Sequence, residues 1–159
     1  MQRCFLLALV SAMMASPAVA DSLLRNSGFD ETLAPWECDE GKLAPDPEAG
    51  DNQVLRIELE DGVFGLAQAL QWSADKKKLT LSFRARASQA SKKSPIQLRV
   101  RIYDQDDNSE IVAAFLVETS REWIVLREEL EWPDFKPVSF LLESNRGEGI
   151  LWIDELKLE

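Results

Sequence analysis

Apolar and polar residues alternate strictly over Leu79–Ala87, where Leu79, Leu81, Phe83, Ala85 and Ala87 are apolar and Thr80, Ser82, Arg84 and Arg86 are polar. A period of two places one set on each face of an extended strand, so the pattern predicts a strand with one buried and one wet face. Ile96–Tyr103 repeats it, and shorter versions run over Val54–Glu60, Ile111–Thr119, Trp123–Leu130, Val138–Glu143 and Ile150–Leu158. Val63–Trp72 is a weaker candidate because Ala and Gln interrupt its pattern. Turn-forming residues separate the runs: Asp61-Gly62, Asp75 with Lys76–Lys78, Ser88–Pro95, Asp104–Ser109, Pro133-Asp134 and Asn145–Gly149. Glu37–Asn52, rich in Pro, Gly and acids, reads as irregular. Many short strands at regular spacing and no helical period predict an all-β sandwich or barrel.

The first twenty residues follow a different rule. Arg3 precedes the apolar run Cys4–Met14, Pro17 breaks it, and Ala18-Val19-Ala20 offers the small-x-small pattern that signal peptidase accepts. The run is too short to span a bilayer. The reading is a bacterial secretory signal over residues 1–20, a mature domain over 21–159 beginning at Asp21, and a periplasmic or secreted product.

Charge and cysteine content change the picture in two ways. The chain carries 18 Lys+Arg and 28 Asp+Glu; without Arg3 the mature part has 17 cations against 28 acids, a net charge of −11. Such a surface does not neutralise phosphates, which argues against nucleic acid and anionic membranes as partners. Cys38 alone remains after cleavage, so no intramolecular disulfide forms, and the usual fate of a lone Cys is burial as a small hydrophobe. The chain has no histidine, which excludes Ser-His-Asp and Cys-His catalysis and His-ligated metals. No carboxylate pair stands out as catalytic, so a non-enzyme is expected.

Two end segments and the middle of the chain carry a resemblance. Leu24-Arg25-Asn26-Ser27-Gly28-Phe29-Asp30 with Trp36, and the closing Ile150-Leu151-Trp152-Ile153-Asp154-Glu155-Leu156-Lys157-Leu158, resemble the galactose-binding-like jelly roll. Within it the likeness is to carbohydrate-binding modules of xylanases and cellulases. Gln68 followed by Leu79–Ala87, and Thr119–Trp123, are similar to the family's middle strands. The resemblance implies a two-sheet antiparallel β-sandwich with jelly-roll connectivity. It also implies a structural calcium where the two chain ends meet. Asp30 and Asp154 hold the matching positions, and backbone groups or the stretch around Asp46 and Asp51 would supply further oxygens. The alternative is that both acids are metal-free turn or strand-end residues. A second acidic cluster, Asp104–Glu110, lacks the Gly and Glu of a calcium loop at Ser109 and Phe115 and reads as a solvated hairpin loop.

A sugar site needs an aromatic face and planar hydrogen-bonding groups. Trp36 and Trp123 match the family's core positions, and Trp152 suits either core or rim. Trp72, Trp132 and Tyr103 are the better ligand candidates. Arg84, Arg86, Arg99 and Arg101 share the polar parity of two successive strands. If those strands lie in one sheet, four guanidiniums share a face, with Arg56 and Arg127 nearby. That face is either an ion-pair lattice with Glu58, Glu118 and Glu129, or a site for an acidic glycan gripped by bidentate arginines. The leading expectation is an exported, non-catalytic module binding a polysaccharide or oligosaccharide, neutral or acidic. The alternatives are a structural module that binds another envelope protein and, furthest behind, a carboxylate- or tyrosine-dependent enzyme.

Overall fold

The structure, a computed structural model, describes residues 22–60, 63–70, 78–88, 95–131 and 133–159. The proposed signal lies outside the described residues, as do Trp72 and Trp132. Nine strands are described: β1 (Gly41–Pro45), β2 (Gln53–Leu59), β3 (Val63–Ala69), β4 (Lys78–Ser88), β5 (Ile96–Tyr103), β6 (Ser109–Val117), β7 (Ile124–Glu131), β8 (Ser139–Asn145) and β9 (Gly149–Leu158). They form a five-stranded sheet, β1-β2-β9-β4-β7, and a four-stranded sheet, β3-β8-β5-β6; all pairings are antiparallel.

The alternation in the sequence is the alternation in burial. Along β4 the apolar positions Leu79, Leu81, Phe83, Ala85 and Ala87 are buried, while Thr80, Ser82, Arg84 and Arg86 are only partly covered. Leu55, Ile57, Leu151 and Ile153 join them on the inner face of the five-stranded sheet. They meet Phe64, Leu66, Ile96, Leu98, Val100, Ile102, Phe140 and Leu142 of the other sheet in one hydrophobic core. Phe83 and Phe115 touch edge-to-face across the two sheets, their centroids 5.3 Å apart. Trp36 closes one end of the core, packed near Phe29 at 5.9 Å and Phe140 at 6.1 Å, and its indole donates to the Asn26 carbonyl at 2.9 Å.

The chain ends are tied together. The Leu23 amide donates to the Leu158 carbonyl at 2.8 Å, and the Leu156 amide to the Ser27 carbonyl at 2.9 Å. Buried Gln68 holds the same N-terminal segment from the other sheet. Its Oε1 accepts from the Arg25 amide at 2.7 Å and its Nε2 donates to the Arg25 carbonyl at 2.9 Å. The β8–β9 turn needs Gly147: its φ is 109°, and an added Cβ would lie 2.7 Å from the Ile96 Cα.

Two expectations are corrected. Glu37–Asn52 is not wholly irregular, because Gly41–Pro45 pairs with β2 as an edge strand. It is short and framed by Gly and Pro, so its alternation has too few positions to register. Trp123 is not core: it lies partly exposed on the outer face of the five-stranded sheet, with the Arg84 guanidinium 4.7 Å above its ring. Asp104–Glu110 is the expected hairpin loop. Asp104 Oδ1 accepts from the amides of Asp106 at 2.8 Å and Asn108 at 2.9 Å.

Candidate functional site

The sheet assignment divides the arginine cluster. Strand β4 belongs to the five-stranded sheet and β5 to the four-stranded one, so Arg84 and Arg86 face away from Arg99 and Arg101. The single four-arginine face is therefore replaced by two faces with two arginines each.

On the four-stranded sheet, the outer positions build three cross-strand rows. Gly65, Glu143, Arg99 and Ala114 stand opposite one another across β3, β8, β5 and β6. The next row sets Ala67, Leu141 and Arg101 side by side, and the third Ala69, Ser139, Tyr103 and Ser109. The small residues of β3 leave space where other strands carry side chains. That space is a trough of about 270 Å³, floored by Gly65, Ala67 and Leu141 and walled by Glu37, Cys38, Asp39 and Glu40. The wall is fixed to the floor by the reciprocal backbone bonds of Glu37 and Ala67, each 2.9 Å.

The polar groups lie one and two strands away. Arg101 Nε and Nη2 donate to Glu143 Oε1 at 3.3 and 3.1 Å, and its Nη1 reaches Ser109 Oγ at 3.3 Å. Arg101 and Glu143 are each about three-quarters buried, with 25% of the side chain exposed, so the pair is held in place. Arg99 sits beside Glu143 in register, and its side chain makes no hydrogen bond or ion pair with any described residue. Tyr103 ends β5 in the same face, partly covered. Half-buried Cys38 is free and holds its proton tightly. Burial pushes its thiol up to about 11, more than its hydrogen bonds with the Gly41 and Glu40 backbone lower it. Of the ligand residues singled out in the sequence, Arg99, Arg101 and Tyr103 meet here. Gly65, Ala67, Leu141 and Glu143 were not singled out. A run of small residues at strand parity, Gly65-x-Ala67-x-Ala69, was the signal for the trough.

The outer face of the five-stranded sheet is a denser ionic lattice. Arg84 lies 3.5 Å from Asp154 and 3.6 Å from Glu155, Arg86 lies 3.5 Å from Glu48, and Arg56 contacts Glu58, which Lys42 shares at 3.5 Å. The lattice expected from the sequence thus exists, through Glu58 but without an ion pair of Glu118 or Glu129 among the described residues. Asp46 and Asp154 anchor it. Asp46 is buried, which raises its pKa, but bonds from the Glu48 amide at 2.8 Å and the Trp123 indole at 3.1 Å outweigh this and hold it below the usual range. Burial dominates at Asp154 and pushes its carboxyl up, against bonds from the Glu155 amide at 2.8 Å and Asn52 at 3.2 Å.

The arrangement does not fit a calcium bridging Asp30 and Asp154. Asp154 is buried, with its oxygens engaged by Asn52 and the Glu155 amide and faced by the Arg84 cation. Asp30 is exposed and lines a separate depression with Asn26, Glu31, Thr32 and Ala34. Among the described residues no group of three or more His, Cys, Asp or Glu side chains converges as metal ligands.

No protein-family model matches the sequence, and no curated protein matches it. Solved structures do match. A family 61 carbohydrate-binding module in complex with β-1,4-galactotriose is 15% identical, with a TM-score of 0.63 over 88% of this chain and 99% of the module. A family 16 module is 13% identical, with a TM-score of 0.64 over 86% of this chain and 99% of the other. The family 22 xylan-binding domain of a Paenibacillus barcinonensis xylanase is 18% identical, with a TM-score of 0.61 over 87% and 94%. The chain therefore has the jelly-roll β-sandwich fold that these carbohydrate-binding modules share, as its end segments led one to expect.

Proposed function

We propose that this protein is a non-catalytic carbohydrate-binding module acting outside the cytoplasm, and that the four-stranded sheet carries its site. The observation that supports this most is the trough of Gly65, Ala67 and Leu141 lying next to the Arg101–Glu143 pair and the Arg99 guanidinium, which has no partner among the described residues. A pyranose has apolar C–H faces and a rim of hydroxyls. The trough offers the C–H face a flat apolar bed. Glu143 accepts from hydroxyls, while Arg99 and Tyr103 donate to them. Prior fixation of Arg101 and Glu143 lowers the ordering cost of binding.

Structures that share the fold include a module in complex with β-1,4-galactotriose and a xylan-binding domain, so β-1,4-linked galactan and xylan are the first ligands to try. Isothermal titration of the mature chain with galacto- and xylo-oligosaccharides tests the reading. Saturable binding that is lost in Arg99→Gln and Glu143→Ala supports it. Absence of binding to every neutral glycan tried, or binding unaffected by both variants, overturns it.

A further inference from the structure

The opposite face of the sandwich carries a constellation that the trough does not use. Lys42, Arg56, Trp152 and Arg86 stand directly opposite one another on β1, β2, β9 and β4, a single row across four strands. Adjacent strands are about 4.8 Å apart, so the row is about 14 Å long. Its centre is a partly exposed indole with an arginine on each side, and the Arg86 guanidinium lies 5.6 Å from the indole centroid.

Two features set this row apart from an ordinary solvated sheet face. Like charges placed directly opposite on neighbouring strands destabilise a sheet, yet Lys42 and Arg56 are so placed and share one oxygen of Glu58. The two arginines are also more deeply covered than their acidic partners. Arg86 and Arg56 side chains are 16% and 20% exposed, whereas Glu48 and Glu58 are 44% and 52% exposed. Arg86 Nε is buried and has no hydrogen-bond partner among the described residues. Glu48 and Glu58 can turn into water and leave the arginines where they are.

We infer that this row is a second binding surface, for a saccharide bearing an anionic group. The part of the indole that the Arg86 guanidinium does not cover takes the apolar face of the sugar ring. Arg56 and Arg86 take its carboxylate or sulfate with paired N–H donors, a geometry that a lysine ammonium does not reproduce. Beyond Arg56 the row opens into a depression of about 490 Å³ lined by Glu58, Glu60, Glu148, Leu59, Gly149 and Ile150. Those glutamates accept from hydroxyls and repel a second anionic group, which selects one isolated acidic group over a densely charged polymer. The surface lies on the sheet opposite the trough and stands or falls independently of it.

The test is titration of the mature protein at low ionic strength with a galacturonate oligomer, a monosulfated galactose oligomer and the uncharged parent sugar, followed by tryptophan fluorescence. Duplex DNA serves as the polyanion control. One of the two charged sugars binds, and about tenfold or more affinity is lost in Arg56→Gln, as expected for a charge-assisted hydrogen bond. Arg56→Lys fails to restore it, Trp152→Leu abolishes the fluorescence change, and Arg99→Gln on the other sheet leaves it unaltered. Which charged sugar binds distinguishes carboxylate from sulfate recognition. The inference is overturned if neither binds, if DNA binds as well as the sugars, or if Arg99→Gln rather than Arg56→Gln removes binding. Thermal unfolding of Arg56→Gln and of the exposed Lys42→Gln confirms that folded protein is being compared.

Discussion

Arg101 donates twice to one oxygen of Glu143 on the adjacent strand, on the diagonal two residues out of register. The diagonal frees Arg99, which stands directly opposite Glu143, to donate elsewhere. A guanidinium whose donors meet no described residue, next to a carboxylate already oriented, forms the polar half of the proposed site.

Removing the carboxylate takes away the ion-pair partner of Arg101 and leaves it the Ser109 hydroxyl. Glu143→Ala is expected to weaken glycan binding by about tenfold or more, the worth of one charged hydrogen bond. Its side chain is on an outer face, so the fold is expected to persist. Calorimetric titration beside a circular dichroism spectrum checks both halves of the expectation.

The trough exists because β3 is nearly bare. A Cβ added at Gly65 comes within 3.4 Å of Leu141, ordinary contact, and no positive φ opposes it. Gly65→Val is therefore expected to fold at least as stably as the native chain, since a glycine inside a strand weakens it. The same change fills the trough and is expected to abolish neutral-glycan binding. Tm and affinity measured on one preparation separate the two effects.

Gln68 is buried and satisfies both backbone groups of Arg25. Gln68→Ala leaves a donor and an acceptor without partners at the seam between the N-terminal segment and β3. A cost of about 2–4 kcal/mol is expected in urea unfolding. Binding by the fraction that remains folded is expected to be unchanged, because the amide points into the core and away from the trough.

Two neighbouring carboxylates give opposite pH dependences. Asp46 is held below its usual value of 3.8, so the stability it contributes is present above that pH and is lost as pH falls through its depressed value. Asp154 is pushed above 3.8 by burial, so its contribution falls as pH rises from 3.8 through the raised value. Asp46→Asn is expected to flatten the acid limb of the stability curve. Asp154→Asn is expected to flatten the limb just above it and to stabilise the protein at neutral pH. Denaturant unfolding across pH 3 to 7, roughly the window in which carboxylates titrate, resolves both. A loss of stability in Asp154→Asn at neutral pH would mean that its contact with Arg84 outweighs its burial.

Strand positions were largely legible because burial on one face imposes period two, and Leu79–Ala87 and Ile96–Tyr103 carry that period without a break. Pairing was not. Alternation tells which side chains share a face of one strand, but not which strands share a sheet, and the chain crosses between sheets from β4 to β5. That crossing separated Arg84 and Arg86 from Arg99 and Arg101. Trp123 was misjudged for a related reason. A tryptophan entering a strand reads as core, but its parity with Val125 and Arg127 puts it outside, where Asp46 and Arg84 satisfy it. The trough escaped notice because Gly65 and Ala67 contribute by what they lack.

The central claim is that the four-stranded sheet binds a carbohydrate. Amide chemical-shift mapping of the isotopically labelled protein, titrated with a β-1,4-linked galacto- or xylo-oligosaccharide, addresses it most directly. The expected result is a saturable set of shifts confined to Glu37–Glu40, Gly65, Ala67, Arg99, Arg101 and Leu141–Glu143. Shifts that are absent throughout the glycan series, or that gather away from these residues, would contradict it.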